Sequence, residues 1–227
     1  KLQIASVSGK MATSTKNKIN FEFGMSNNDK NLFSDKDDTD NQGFAGKIAY
    51  NQKLFDTKFK LDFFANVQYV QQNFVTLERL YSIEYKRDWN LTTTNGNQSI
   101  LASGFKAALT DKFKFEYQLE NLNFAQNFNG NRHLFDGIFK TKKTMLQTKT
   151  SYMNSLSSMS KSRFVRNQSE FNFYLKKNLP KLWEVFKYVF TYIYTNPFSY
   201  VIITMTLKTK RTLVMRFIFY FFNSAKV

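Results

Sequence analysis

Residues 57–70, TKFKLDFFANVQYV, alternate apolar and polar side chains over an unusually long stretch. Every odd position from Phe59 to Tyr69 is apolar, and every even position between them is polar except Phe64. A period of two predicts a strand with one apolar and one polar face. Because a typical strand has about five or six residues, this pattern predicts a long strand whose apolar face needs an extensive apolar partner.

The same alternation recurs from residue 1 to about residue 178. Turn signals separate several of the runs, namely the Asn95-Gly96 pair, the Thr110-Asp111-Lys112 sequence and the Asn129-Gly130 pair. No amphipathic helix pattern lies between them. The sequence therefore predicts an all-β fold, an antiparallel meander of about eight long strands that forms a β-barrel or a slice of a larger barrel. The other runs are residues 2–12, 18–25, 42–51, 81–91, 99–109, 112–119, 137–153 and 161–177.

An atypical hydrophobic and basic segment follows at 179–227, so we divide the chain into a meander (1–178) and this tail. Lys187 and Pro197 lie inside its longest apolar run. A charge at mid-membrane costs roughly 2.5–3.5 kcal/mol and proline breaks helices, so a spanning helix is disfavoured. Two interpretations remain: buried strands with a helix docked on the sheet, or out-of-frame translation of an AT-rich gene.

The composition excludes several classes of enzyme. The chain has no cysteine and one histidine, His133, which excludes thiolate zinc sites, iron–sulfur clusters and catalytic thiols and disfavours a Ser-His-Asp triad. The sequence contains no nucleotide-binding or metalloprotease motif. We therefore expect no enzymatic activity.

The net charge of +16, from 33 basic and 17 acidic residues, is the main clue to partners. Such a charge attracts nucleic acid, anionic lipid or lipopolysaccharide phosphates. Stacking platforms for bases need aromatic and cationic side chains on the same face. Here they alternate onto opposite faces, so we expect a solvated basic strand face and no nucleic-acid partner.

One acidic loop has metal-ligand chemistry. Asp35, Asp37 and Asp40 are spaced so that their carboxylates could supply some of the oxygen ligands of calcium. The spacing misses the EF-hand pattern, because Thr39 and Asp40 stand where that pattern needs other residues. The simpler interpretation is a solvated loop between two strands, and no other cofactor is expected.

Residues 78–88 contain both acidic and basic side chains, which we interpret as charges paired across neighbouring strands. If 81–91 is a strand, Glu84, Lys86 and Asp88 share the face opposite Tyr81 and Tyr85. Cross-strand pairing of such charges contributes about 0.2–1 kcal/mol per pair. We expect a structural role for these residues and no paired-carboxylate active site.

The segment Glu84 to Leu91, which contains Arg87-Asp88-Trp89-Asn90-Leu91, resembles the large outer-membrane β-barrel proteins of Bacteroidetes such as the flavobacteria. The resemblance extends in style over residues 1–178. It implies a cell outer-membrane location as a channel, transporter or secretion-associated barrel, and no functional residue is carried over from it.

These observations favour an outer-membrane β-barrel segment with a structural or transport role and no catalysis. Its expected partners are outer-membrane lipid or lipopolysaccharide, and other barrel or secretion components. Because the chain begins with Lys1, we expect a mature chain or a fragment. The alternative is a secreted or periplasmic β-sandwich that binds polyanions or surface glycans. One feature disfavours the barrel: the connections do not alternate cleanly between short and long, as they do in simple outer-membrane barrels.

Overall fold

The computed structural model describes residues 1–30, 40–91, 96–124, 128–157, 161–176, 199–209 and 212–226, with side chains as far as residue 172. Within these ranges the chain is all-β, with long antiparallel strands and one short helix. No helix in the described ranges has the length and apolarity to cross a membrane. The strands are β1 Leu2–Ser14, β2 Asn17–Asn28, β3 Gln42–Asp56, β4 Lys60–Val70, β5 Gln98–Thr110, β6 Phe113–Phe124, β7 Phe128–Lys140, β8 Thr144–Ser157, β9 Lys161–Lys176, β10 Ser199–Thr209 and β11 Thr212–Lys226, and the helix is α1 Tyr85–Trp89.

The strands form a single sheet. Strands β1 to β9 lie side by side in chain order, β11 pairs with β9, and β10 pairs with β11. The all-β antiparallel meander is therefore confirmed, with nine consecutive strands where about eight were predicted. As described, the sheet is open, with β1 and β10 at its two edges.

The predicted strand over residues 81–91 is wrong. Residues 71–97 connect β4 to β5, and this connection contains the helix Tyr85–Trp89. The Arg87 and Glu84 side chains form an ion pair of 2.8 Å at helical i,i+3 spacing. Trp89 is 1% exposed, so burial of this side chain outweighs the local alternation.

Two further details of the meander differ from the sequence pattern. Residues 137–153 do not form one run, because the chain turns at 141–143 between β7 and β8. The Asn129-Gly130 pair does not form a turn: it lies within β7, where Asn129 pairs with Asn123 and Gly130 with Leu122.

The segment 179–227 contributes two strands where the structure describes it. β10 and β11 form a hairpin, and β11 continues the sheet with Phe217 opposite Phe171. Residues 199–209 and 212–226 are therefore not helical; they are rich in Thr, Val, Ile and Phe, which favour strands. Residues 177–198 lie outside the described ranges.

The two faces of the sheet differ sharply in chemistry. The apolar face contains Phe63 and Val67 of β4 and the residues in register with them. Its large side chains remain exposed, at 51% for Val67 and 54% for Phe44. No second layer covers this face within the described residues. The exposed side chains that share it include Val7, Met11, Phe23, Met25, Phe44, Ile48, Phe55, Val67, Leu101, Phe105, Tyr117, Leu119, Phe135, Phe139, Leu146, Tyr152 and Leu156.

The opposite, polar face carries most of the charged side chains of the strands. A row across six strands places Lys53, Asp62, Lys106, Glu116, Asp136 and Lys149 in register. Within this row Lys106 pairs with Glu116 at 3.1 Å and Lys149 with Asp136 at 3.8 Å. Phe64, the residue that breaks the alternation of β4, is 5% exposed on this face. Its ring occupies the space above Gly104, 2.7 Å from where a Cβ would stand.

Among the connections between β1 and β9, all four at one end of the sheet are short, and both long connections lie at the other end. Residues 15–16, 57–59, 111–112 and 141–143 form short turns at one end, the short-turn edge. The long connections 29–41 and 71–97 lie at the other end, together with two connections of three residues, 125–127 and 158–160. The expectation that connection lengths do not alternate cleanly between short and long is therefore confirmed, because the connections 125–127 and 158–160 are as short as the turns at the opposite end.

Candidate functional site

The connection from Gln71 to Leu91 crosses the polar face, and we call it the strap. Near its start, the ring of Phe74 lies over Gly24, and the Val75 amide donates to Ser26 Oγ at 2.9 Å. At its end, Asn90 Nδ2 donates to Ser162 Oγ of β9 at 2.9 Å. The strap thus contacts strands from β2 to β9 on one face of the sheet.

Glycines of the sheet make room for the strap. A Cβ at Gly43 would lie 2.2 Å from the Phe74 amide nitrogen, and one at Gly130 would lie 3.0 Å from the Trp89 ring. Asn90 ends α1 with φ 50° and ψ 45°, in the left-handed region that asparagine tolerates. Both strand glycines therefore serve close approach between the sheet and the strap.

The principal buried apolar cluster lies between the strap and the sheet. Trp89 is 1% exposed and packs against Leu122, Phe124 and Met153 of the polar face. Tyr85, Leu91, Ile100, Phe128 and Phe164 pack around these four residues. Burial of an aromatic side chain of this size contributes on the order of 3–5 kcal/mol relative to alanine, so this cluster is the main anchor of the strap.

An ion-pair network surrounds the anchor. Asp88 of the strap accepts from Arg166 Nη1 at 2.8 Å and lies 3.4 Å from Arg132 Nη1. Glu120 holds Arg132 through Nη2 at 2.6 Å and Nε at 2.7 Å. The Arg132 guanidinium also lies 4.7 Å from the centre of the Trp89 ring. Arg132 therefore binds the strap by charge and by cation–π contact at once.

A cavity of about 780 Å³ lies beside the strap, lined by Phe74, Tyr81, Tyr85, Gln98 and Phe124 among others. The two tyrosine rings stack with centroids 4.2 Å apart. The Gln68 amide donates to the Tyr81 hydroxyl at 3.4 Å, and the Gln98 amide to the Tyr85 hydroxyl at 2.7 Å. Burial raises the pKa of Tyr81 to about 12 and raises that of Tyr85 further. These phenols therefore stay neutral hydrogen-bonding groups.

Only one of the three aspartates predicted as calcium ligands lies within the described residues. Asp35 and Asp37 lie outside the described residues. Asp40, the first residue of the described range 40–91, is exposed. Within the described ranges no group of three or more acidic or histidine side chains is placed to hold a metal ion. The calcium hypothesis stays a prediction. His133 lies on the apolar face, with Nδ1 2.7 Å from the Tyr117 hydroxyl.

Sequence reasoning missed most of the strap's partners. It assigned structural roles to Glu84, Lys86 and Asp88 on one strand face, whereas Asp88 pairs with β7 and β9 and Glu84 pairs with Arg87 in the helix. The available signal was the large apolar side chain of Trp89, which directly follows a charged run and precedes Asn90. No family of known proteins matches this chain in a comparison with family models, and no curated protein matches it.

Proposed function

We propose that the chain is part of the wall of an outer-membrane β-barrel, with a structural, transport or secretion-associated role and no catalysis. The observation that carries this proposal is the exposed apolar face. Strands of 11 to 15 residues (β1 to β8) present large apolar side chains outward on that face. A tilted strand of about 9–11 residues crosses a bilayer, so these strands have sufficient length.

The chemistry of the opposite face supports the same proposal. In a transmembrane barrel, lipid-facing and lumen-facing residues alternate along each strand. The charged row and the ion pairs around Asp88 lie on the face that would line a wet lumen. The strap would then lie inside the lumen and narrow it. Arg87-Asp88-Trp89-Asn90-Leu91, which carries the resemblance to the barrels of Bacteroidetes, ends this strap.

The alternative of a secreted or periplasmic sandwich stays a prediction. A sandwich needs a second sheet over the apolar face, and within the described residues that face is exposed. Outer-membrane lipid, lipopolysaccharide and other barrel or secretion components remain the proposed partners.

Single-cysteine variants test the proposal, because the chain has no cysteine of its own. Ile48→Cys and Phe105→Cys probe the apolar face, and their neighbours Lys47→Cys and Lys106→Cys are matched controls on the polar face. After insertion into vesicles, a membrane-impermeant maleimide should label the lysine positions and spare the other two.

A fluorophore attached to each cysteine before insertion gives the complementary measurement. Spin-labelled lipid should quench it at residues 48 and 105 and leave residues 47 and 106 unaffected. Equal labelling and equal quenching at all four positions would remove the proposal. Stable, monomeric folding in buffer without detergent would also count against it.

A further inference from the structure

Lysines concentrate at the short-turn edge of the sheet. Each of the four short turns carries two or three lysines within it or at the adjoining strand ends, and all of these are exposed. They are separated in sequence by tens of residues, and only the meander brings them to one edge. We call this set the basic rim: Lys16, Lys18, Lys58, Lys60, Lys112, Lys114, Lys140, Lys142 and Lys143.

Few acidic side chains offset this charge. Asp56 pairs with Lys53 at 3.2 Å and with Lys60 at 3.9 Å. Asp111, which is exposed, lies in the turn between β5 and β6. Within the described part of the chain, the other lysines of the rim form no ion pair. At the opposite end of the sheet, Asp29 and Asp40 flank an acidic connection, so the two ends differ in charge.

Aromatic side chains of the apolar face adjoin the rim. Phe55 and Phe59 have ring centroids 5.8 Å apart beside the turn at 57–59. Phe113 pairs in register with Phe139, which is 41% exposed, beside the turns that follow β5 and β7. Phenylalanines therefore adjoin the lysines at this end of the apolar face, which also carries Phe105 and Phe135 nearer its middle.

Phenylalanines beside lysines at the end of an apolar face fit the depth profile of a lipid leaflet. Aromatic girdles flank the apolar band of transmembrane strands at the membrane interface, and lysines extend their ammonium groups to headgroup depth. We propose that the turn lysines of the basic rim bind the phosphates of anionic phospholipids in the leaflet that the short turns face; these are Lys16, Lys58, Lys112, Lys142 and Lys143. The rim lysines within the strands lie on the polar face, namely Lys18, Lys60, Lys114 and Lys140. In outer-membrane barrels the short turns face the periplasm, where that leaflet is the inner one. This inference rests on the proposed function and adds to it a lipid class and the residues that recognise it.

The test uses the full chain in mild detergent, mixed with preformed vesicles and floated through a density gradient. One set of vesicles is phosphatidylcholine alone, and the other is phosphatidylcholine mixed with phosphatidylglycerol. The rim variant combines Lys16→Gln, Lys58→Gln, Lys112→Gln and Lys142→Gln. The control variant combines Lys1→Gln, Lys47→Gln, Lys86→Gln and Lys161→Gln, which removes the same charge from exposed positions away from the rim.

The rim variant should lose preference for anionic over neutral vesicles by roughly fivefold per lysine removed at low salt. The control variant should keep most of that preference. All three chains should associate with neutral vesicles equally, because that association depends on the apolar face. Circular dichroism establishes that each variant retains its sheet.

The outcomes separate the two proposals. Equal losses in the rim and control variants, or no anionic preference in the unmodified chain, would overturn the rim inference and leave the barrel proposal intact. Failure of every chain to enter neutral vesicles, with a rim-dependent association with anionic ones, would overturn the barrel proposal and support peripheral binding through the rim.

Discussion

Replacing Trp89 by alanine tests whether the strap is anchored on the polar face as the structure describes. Trp89 is 1% exposed and contacts a cluster whose Leu122 is fully buried. Truncation of a buried tryptophan costs about 3–5 kcal/mol, and loss of the contact with Arg132 adds about 0.5–2 kcal/mol. The measured loss of stability cannot exceed the free energy of strap docking, because beyond that value the strap detaches while the sheet persists.

Limited trypsin digestion measures strap detachment directly, because the strap contains Arg79, Lys86 and Arg87. When opening is fast, cleavage follows the population of the open form. A loss of about 3 kcal/mol should therefore raise cleavage at these sites by roughly 100-fold. The matched control is Leu77→Ala, since Leu77 is an apolar strap residue that is 85% exposed. Unchanged cleavage in the Trp89 variant, or an equal rise in the Leu77 variant, would refute the anchoring role.

Three further predictions follow from the same contacts. Asp88→Asn should weaken strap docking by about 1–3 kcal/mol. Arg87→Gln, which removes an exposed ion pair, should weaken strap docking by less than about 1 kcal/mol. Limited trypsin digestion compares the two variants. Because burial raises the pKa of Tyr81 to about 12 from 10.0 in the unfolded chain, strap docking should weaken as pH rises from about 10 to 12. Ultraviolet titration should show a late tyrosinate transition that diminishes in Tyr81→Phe, and an unchanged titration would contradict this. Gly104→Ala should destabilise the sheet by about 1–3 kcal/mol, since its Cβ would lie 2.1 Å from the Tyr117 carbonyl oxygen. The control Gly137→Ala should destabilise the sheet less, because the atom nearest to its Cβ would be 3.2 Å away. Urea unfolding in micelles measures the free energy of unfolding of both variants.

Residues 81–91 show why part of the fold was not predictable from local pattern. Tyr81, Ile83 and Tyr85 alternate as they would in a strand. The contacts that hold this segment come from Gly130 and Ser162, far along the chain. Nothing near residue 89 in the sequence indicates a gap above Gly130 that fits an indole ring. The turn predicted at Asn129-Gly130 was wrong for the same reason. Gly130 lies within β7, where the absence of a side chain leaves space for the Trp89 ring.

The alternation of apolar and polar residues by itself determined the long strands, their antiparallel order and the separation of the two faces. These properties follow from the geometry of neighbouring residues, since side chains of a strand alternate between faces wherever the chain lies. The tertiary structure decided which face is covered, where the strap docks and how lysines from four turns meet at one edge. Each of these depends on strand register and on contacts between distant residues, which a period of two does not encode.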